Sequence, residues 1–109
     1  MEPKFKVWLE KDGEVIVGNG KIGLLNLIKD LGSIQKAAQE YGMSYRHAWG
    51  MIQKMQKRSG VKFVETEVGG KDGGRARVTP RGREFLSQYA KFEKGLDKII
   101  EKKFKAAFK

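Results

Sequence analysis

The 109-residue sequence has no cysteine and a single histidine, His47, and these absences exclude several classes of protein. Without cysteine there is no disulfide, thiolate metal site, iron–sulfur cluster or cysteine nucleophile. One histidine lacks the further ligands of a histidine metal site and the partners of a catalytic triad. The carboxylates are scattered along the chain, and a carboxylate metal site has no histidine or cysteine to support it. We therefore expect no enzyme, no metal and no cofactor.

Long apolar runs are also missing. The longest, Ile22–Ile28, is interrupted by Gly23 and Asn26, whereas a membrane-spanning helix needs about 20 apolar residues. The first residues, Met1–Lys6, do not contain the apolar core of a signal peptide. We therefore expect a cytoplasmic protein with no membrane association. Its apolar content of 39% is enough for one hydrophobic core, and the length allows one domain, residues 1–109.

Positive charge is in excess and is unevenly distributed. The chain has 23 lysines and arginines against 13 aspartates and glutamates, a net charge of +10. No acid occurs in residues 41–64 or in residues 73–83, while the first 32 residues are nearly balanced. Such segregation indicates a surface for an anionic partner, and a nucleic acid is the simplest one. From charge alone, a solvated basic face is an equally good interpretation.

Apolar spacing and helix-capping residues predict the first half of the fold. Alternating apolar residues on both sides of Asp12-Gly13 predict a β-hairpin over residues 5–17. Three helices follow, predicted over residues 21–31, 34–41 and 45–58. Ser33 and Ser44 are suitable N-caps for the second and third helices. The two helices within residues 33–58 have the proportions of a helix-turn-helix.

The second half of the sequence predicts a wing and a long helix. Residues 62–68 and 75–79 are predicted as two strands joined by the glycine-rich segment Gly69–Gly74, which gives a wing over residues 62–79. This segment is not a phosphate-binding loop of the nucleotide-binding type, because a strand follows it instead of a helix. A helix opened by proline is predicted over residues 80–105. The predicted fold class is α+β, mainly α: a winged helix-turn-helix with an N-terminal β-hairpin and a long C-terminal dimerisation helix.

The outward face of the third helix is the predicted DNA-reading surface. With Ala48, Ile52 and Met55 facing inward, polar and aromatic residues near its start face outward. Arg46 can donate two hydrogen bonds to a guanine, and Gln53 can pair with an adenine. The residues of this helix and its cap that we expect to contact DNA are Ser44, Tyr45, Arg46, Trp49 and Gln53. For Trp49, core packing is an open alternative because it neighbours the inward stripe.

Phosphate contacts are predicted around this helix and on the wing. Lysine and arginine neutralise phosphate charge, and serine or glutamine can donate hydrogen bonds to phosphate oxygens. Arg75 and Arg77 alternate onto one face of a predicted strand. The residues expected to hold phosphates are Ser33, Gln35, Lys54, Lys71, Arg75 and Arg77.

The last predicted helix carries an apolar stripe that is longer than one small core needs. Its later members are Phe92, Leu96, Ile99, Ile100 and Phe104. Spacing near 3.5 residues suits packing against another helix, so we expect this stripe to pair with its copy in a homodimer. Folding of the hairpin, residues 5–17, over the stripe is the alternative within one chain.

Several motifs carry a resemblance to a known family. Ser33-Ile34, Ala37-Ala38 and the run Gly42–Trp49 resemble the helix-turn-helix of the ModE-type molybdenum-dependent transcriptional regulators, Gly69–Gly74 resembles their wing, and Val78–Gly82 resembles the entry to their dimer helix. The helix-turn-helix is more broadly similar to that of LysR-type regulators. The resemblance implies a homodimeric transcription factor that binds a palindromic double-stranded DNA operator of molybdate or tungstate transport or metabolism genes. Family members that sense molybdate do so in separate C-terminal domains. Because this sequence stops at Lys109 without them, we expect no molybdate or tungstate sensing in this chain.

A rival interpretation is a winged-helix module that assembles a larger protein complex and does not read DNA sequence. Such a scaffold has no reason to exclude acids from residues 41–64, whereas a DNA-binding surface does. The charge distribution therefore favours DNA binding.

Overall fold

The computed structural model describes residues 1–67 and 74–109. Its elements are β1 Trp8–Lys11, β2 Glu14–Gly18, α1 Asn19–Leu31, α2 Ile34–Tyr41, α3 Tyr45–Ser59, β3 Val64–Glu67, β4 Arg75–Val78, α4 Pro80–Glu93 and α5 Leu96–Ala107. The predicted order of hairpin, three helices, wing and C-terminal helical region is confirmed, and the fold is a winged helix-turn-helix. None of the described helices combines the length and the apolar character that crossing a membrane requires.

The N-terminal hairpin forms around the predicted turn. Strands β1 and β2 are antiparallel, with Leu9 opposite Val17. Asp12 and Gly13 have φ angles of 54° and 80°, as a two-residue hairpin turn with positive φ at both positions requires. The paired part begins at Trp8, later than predicted, and β2 passes directly into α1 at the N-cap Gly18.

Capping residues set the ends of the three central helices. The hydroxyl oxygens of Ser33 and Ser44 accept the backbone N–H groups of Lys36 and His47, each at 3.1 Å. Each helix ends at a glycine in the left-handed conformation, which a missing Cβ allows. These glycines are Gly32, Gly42 and Gly60. The predicted bounds of the helices are therefore close to the observed ones.

One hydrophobic core joins the hairpin, the three central helices, the wing and α4. Its fully buried larger side chains are Val17, Leu24, Leu25, Ile28, Ile52, Met55 and Phe63. Helices α1 and α2 approach closely at Gly23, where a Cβ would overlap the Tyr41 hydroxyl. That hydroxyl donates a hydrogen bond to the Gly20 carbonyl oxygen at 2.7 Å. The helix-turn-helix is thus fixed to α1 by apolar packing and by one directed polar contact.

Hydrogen bonds attach the wing to the helices. In the antiparallel pair of β3 and β4, Val64 lies opposite Val78. The side-chain oxygen of Gln56 in α3 accepts the N–H groups of Phe63 and Val64 at 3.0 and 3.1 Å. The Ala76 N–H donates to the Gly32 carbonyl oxygen at 3.0 Å. The orientation of the wing is therefore set by α3 and by the end of α1.

The long C-terminal helical region is present, but it is interrupted, whereas the sequence predicts one continuous helix over residues 80–105. Helix α4 ends at Glu93, and Gly95 adopts a φ of 84° before α5 begins. A residue in the left-handed conformation ends the hydrogen-bonded turn, and glycine adopts it at little cost. At the other end of α4, the Thr79 hydroxyl accepts the Gly82 N–H at 2.9 Å.

Helix α5 contributes no buried residue. The molecule measures 60 × 28 × 21 Å, with a radius of gyration of 16.5 Å, whereas a compact domain of this length has about 13 Å. The segment before the hairpin reaches α4, where the Tyr89 hydroxyl lies 3.4 Å from the Val7 carbonyl oxygen. It does not bury the apolar face of α5, so the structure contradicts the alternative in which the hairpin covers that stripe.

Candidate nucleic-acid interface

Helix α3 presents to solvent a stripe of polar residues with one glycine among them. Its inward residues Ala48, Ile52 and Met55 are fully buried. Positions spaced by four, three and four lie along one face of a helix, and the stripe opposite the core consists of Arg46, Gly50, Gln53 and Lys57. Arg46, Gln53 and Lys57 are exposed. Gly50 and Lys57 were not among the predicted site residues, although the same spacing of positions identifies both.

The two aromatic residues at the start of α3 have different surroundings. Tyr45 is 49% exposed. Trp49 is partly buried and packs against the hydrophobic core. Trp49 therefore packs against the core, as the alternative interpretation expects, although it is not fully buried. A contact between Trp49 and DNA stays a prediction.

The N-terminal ends of α2 and α3 use their serine hydroxyls as caps. Ser33 is buried and its oxygen is occupied by the Lys36 N–H, so capping is the role that the structure shows. Ser44 is exposed and caps α3 in the same way through His47. Gln35, in the first turn of α2, is exposed. A helix N-terminus also carries partial positive charge, which favours a phosphate there. Phosphate contacts from these residues remain predictions.

The wing carries its arginines on one face, but acids lie opposite them. In β4 the exposed Arg75 and Arg77 alternate with buried residues, as predicted. Glu67 and Glu65 are their cross-strand partners. The Arg77 guanidinium donates to the Glu65 carboxylate at 2.9 and 3.2 Å. This pair is exposed and contributes little to stability, so a phosphate can compete for Arg77. The predicted phosphate contact of Lys71 lies outside the described residues.

Three cations lie near one another where α1 approaches α3: Lys21, Lys54 and Arg58. Arg58 donates to the Val15 carbonyl oxygen at 2.9 Å and pairs with Glu14 at 3.0 Å. Burial, followed by the positive charges of Arg58 and Lys54, lowers the pKa of Lys21. Arg58 is thus used to attach the hairpin, whereas Lys54 is exposed as the phosphate prediction requires. Lys21 was not identified from the sequence, because only the fold brings it towards α3.

No arrangement typical of a metal centre accompanies this surface. Within residues 1–67 and 74–109, no group of three or more His, Asp or Glu side chains is close enough to hold a metal ion.

Comparison with known proteins identifies relatives of this domain. The chain is 37% identical over 94 residues to the molybdenum-pterin-binding protein MopB of Rhodobacter capsulatus. It is 33% identical over 89 residues to the DNA-binding transcriptional dual regulator ModE of Escherichia coli K12. The chain is a homologue of the ModE-type regulators. These alignments cover 86% and 82% of this chain, but each covers only 34% of the relative. No protein-family model matches the chain.

A solved structure supports the fold assignment. The DNA-binding domain of BenM, in its crystal structure with benA site 1 DNA, superposes with a TM-score of 0.56 at 18% identity. The similarity covers 81% of this chain and 93% of the BenM chain. At this level of identity the similarity concerns the fold alone.

The residues predicted for dimerisation form a largely exposed apolar surface. Phe92, at the end of α4, is 51% exposed, and Ile99 of α5 is 53% exposed. Leu96, Ile100 and Phe104 are partly buried and recur every four residues along α5. The break at Gly95 separates Phe92 from the other four. We call the five residues Phe92, Leu96, Ile99, Ile100 and Phe104 the C-terminal apolar surface.

Proposed function

We propose that this chain binds double-stranded DNA in a sequence-specific manner and regulates transcription. The observation that carries the proposal is the outward stripe of α3, which exposes Arg46, Gln53 and Lys57 on the second helix of a helix-turn-helix. The whole of α3 contains no acid. A helix of this kind fits the major groove, where arginine pairs with guanine and glutamine with adenine. The proposed function requires no catalysis.

Phosphate contacts on either side of this helix would orient it. Lys54, Arg75 and Gln35 are exposed on α3, on the wing and at the start of α2. Contacts of this kind fix the register of the protein on the duplex and supply most of its affinity, but they do not read sequence. Arg77 would exchange its surface pair with Glu65 for a phosphate, at small cost because exposed ion pairs are weak.

The proposal includes a homodimer formed through the C-terminal apolar surface. In the described residues, no side chain of α5 is fully buried within the chain. Each large apolar side chain contributes about 1.5–3 kcal/mol when it is fully buried, so pairing with a second copy would be favourable. Twofold symmetry would set two α3 helices about 34 Å apart, or a multiple of that distance, on a palindromic operator.

The named functions of the relatives suggest the target genes. One relative is a molybdenum transport protein ModE of Azotobacter vinelandii, 30% identical over 98 residues. We propose that the operator controls molybdate or tungstate transport or metabolism genes.

Binding selection from random duplexes, with the full chain, tests the proposal. We expect enrichment of a palindromic sequence whose half-sites lie one helical turn or a multiple apart. Arg46→Ala should relax the preference at one position of each half-site. Recovery of no preferred duplex would contradict sequence-specific binding and favour the protein-interaction module. A preferred sequence without twofold symmetry would contradict only the palindrome.

A further inference from the structure

Gly50 lies in the middle of α3, and no contact within the described chain explains its missing side chain. A glycine inside a helix weakens that helix relative to alanine, so its presence calls for a compensating reason. A Cβ built at Gly50 meets no atom within 4 Å, apart from its two chain neighbours and the backbone of its own helix. Gly50 is also not among the residues with positive φ. Neither packing nor backbone conformation therefore requires glycine there.

Two glycines in other helices differ from Gly50, because a contact within the chain leaves no room for a side chain there. A Cβ at Gly23 would overlap the Tyr41 hydroxyl, and a Cβ at Gly82 would lie 2.8 Å from the Phe63 carbonyl oxygen. Both positions are therefore restricted by a close intramolecular contact. Gly20, in the first turn of α1, resembles Gly50 in having open space around its Cβ position. It lies on a different helix and outside the α3 stripe, so it offers a matched control.

The location of Gly50 indicates what its missing side chain does. It lies on the α3 stripe, four residues after Arg46 and three before Gln53. A helix with its side chains is about 10–12 Å in diameter, and the major groove is about 12 Å wide. A side chain between the two reading residues would act as a spacer between the helix and the base edges. Without that side chain, the helix could lie closer to the floor of the groove.

We propose that Gly50 is a specificity-determining position, because its bare backbone lets α3 approach the base edges closely enough for Arg46 and Gln53 to reach them. This inference rests on the proposed DNA-binding function. Gly50 would affect the contacts with bases and not the attraction to phosphates, since the phosphate contacts come from residues outside the centre of the stripe.

The test compares Gly50→Leu and Gly50→Ala with Gly20→Leu and Gly20→Ala. Affinities are measured for the duplex enriched by the wild-type protein and for a scrambled duplex at one salt concentration. Gly50→Leu should lose the preference for the enriched duplex by at least about 30-fold, since both base contacts are weakened. Its affinity for the scrambled duplex should stay within about threefold, because phosphate contacts carry that binding. Gly20→Leu should leave both affinities unchanged.

Thermal unfolding is a second measurement. Here we expect a gain in stability at Gly50, whereas the DNA measurement is expected to show a loss of sequence preference. Gly50→Ala and Gly20→Ala should each raise Tm by about 2–8 °C, because alanine restricts the unfolded chain and favours the helix. A lower Tm for Gly50→Ala would reveal an intramolecular role for the glycine and overturn the inference. Full sequence preference in Gly50→Leu would also overturn it, while leaving DNA binding intact. If the wild-type protein itself prefers no duplex, the proposed function fails, and the inference fails with it.

Discussion

Helices α3 and α5 are both amphipathic, yet their apolar faces have different partners. In α3, Ala48, Ile52 and Met55 are fully buried within the chain. In α5, no residue is buried, and Ile99 is 53% exposed. The periodicity of a helix determines which of its faces is apolar, but it does not determine what covers that face. Helix α3 thus completes the core, whereas the apolar face of α5 is not buried by its own chain.

The polar faces of the two helices also differ. Helix α3 contains no acid. Helix α5 contains two acids among its four lysines, and Lys105 pairs with Glu101 at 3.1 Å. An exposed pair four residues apart adds a few tenths of a kcal/mol, about 0.3–0.5, to a solvated helix. The polar face of α3 is therefore suited to a polyanion, and the polar face of α5 is suited to water.

The largest expected effect comes from truncating matched isoleucines on the two helices. Ile52→Ala should lower the free energy of unfolding by about 2–5 kcal/mol, because it leaves a cavity in the core. Ile99→Ala should change the stability of the monomer by less than about 0.5 kcal/mol, but it should weaken the dimer. Urea unfolding at low protein concentration and sedimentation equilibrium measure the two quantities. Equal losses of monomer stability would mean that α5 packs inside its own chain.

The attachment of α4 to the core can be tested at Gly82. Gly82→Ala should destabilise the protein by about 1–3 kcal/mol, as overpacking does. The reason is that the new Cβ would lie 2.8 Å from the Phe63 carbonyl oxygen and 2.9 Å from a Val78 methyl group. Gly20→Ala, where the Cβ meets open space, serves as the control and should stabilise by about 0.4–1 kcal/mol. Urea unfolding that shows the same sign for both variants would contradict the close contact.

Base reading by α3 can be separated from general attraction with Arg46. Arg46→Ala should cost about 1–3 kcal/mol against the preferred duplex and much less against a scrambled one. Lys98→Ala, on the exposed polar surface of α5, removes the same charge as a control and should leave the preference intact. Affinity measurements on both duplexes decide the matter. Equal weakening of all duplexes by Arg46→Ala would make this residue a phosphate contact.

The salt dependence of binding distinguishes the two polar faces. Affinity falls with salt by a slope of about −0.9 for each phosphate that the protein neutralises. Lys54→Ala should reduce the magnitude of that slope by about one, whereas Lys98→Ala should leave it unchanged. A titration of affinity against salt concentration measures both slopes. Equal changes in the two variants would indicate a diffuse charge effect with no defined contact at Lys54.

The smallest expected effect concerns Lys21. Burial and the charges of Arg58 and Lys54 lower its pKa. The unfolded chain therefore holds this proton more tightly, and stability should rise with pH between the lowered pKa and the ordinary value of 10.5. Lys21→Gln should remove this rise and slightly increase the urea midpoint at neutral pH. An unchanged pH profile in the variant would contradict the assignment.

Local signals in the sequence were sufficient to predict most of the helices and strands and part of the candidate site. The bounds of α2 were predicted correctly because a serine cap and a glycine end the helix through contacts a few residues apart. The exposure of Arg46 and Gln53 followed from the helical period alone. The break at Gly95 was missed because the apolar stripe continues across it, and periodicity does not register one left-handed residue.

The sequence by itself determined the winged helix-turn-helix, the acid-free third helix and the apolar face of the C-terminal region, because caps, turns and periodicity act over a few residues. Only the tertiary structure decided which charges remain available. Arg58 is engaged by Glu14, and Arg77 by Glu65, across separations of 44 and 12 residues in the chain. It also decided that Gln56 holds the wing and that Gly50 lies open while Gly82 is enclosed. Such contacts depend on distances in space, which spacing along a chain does not encode.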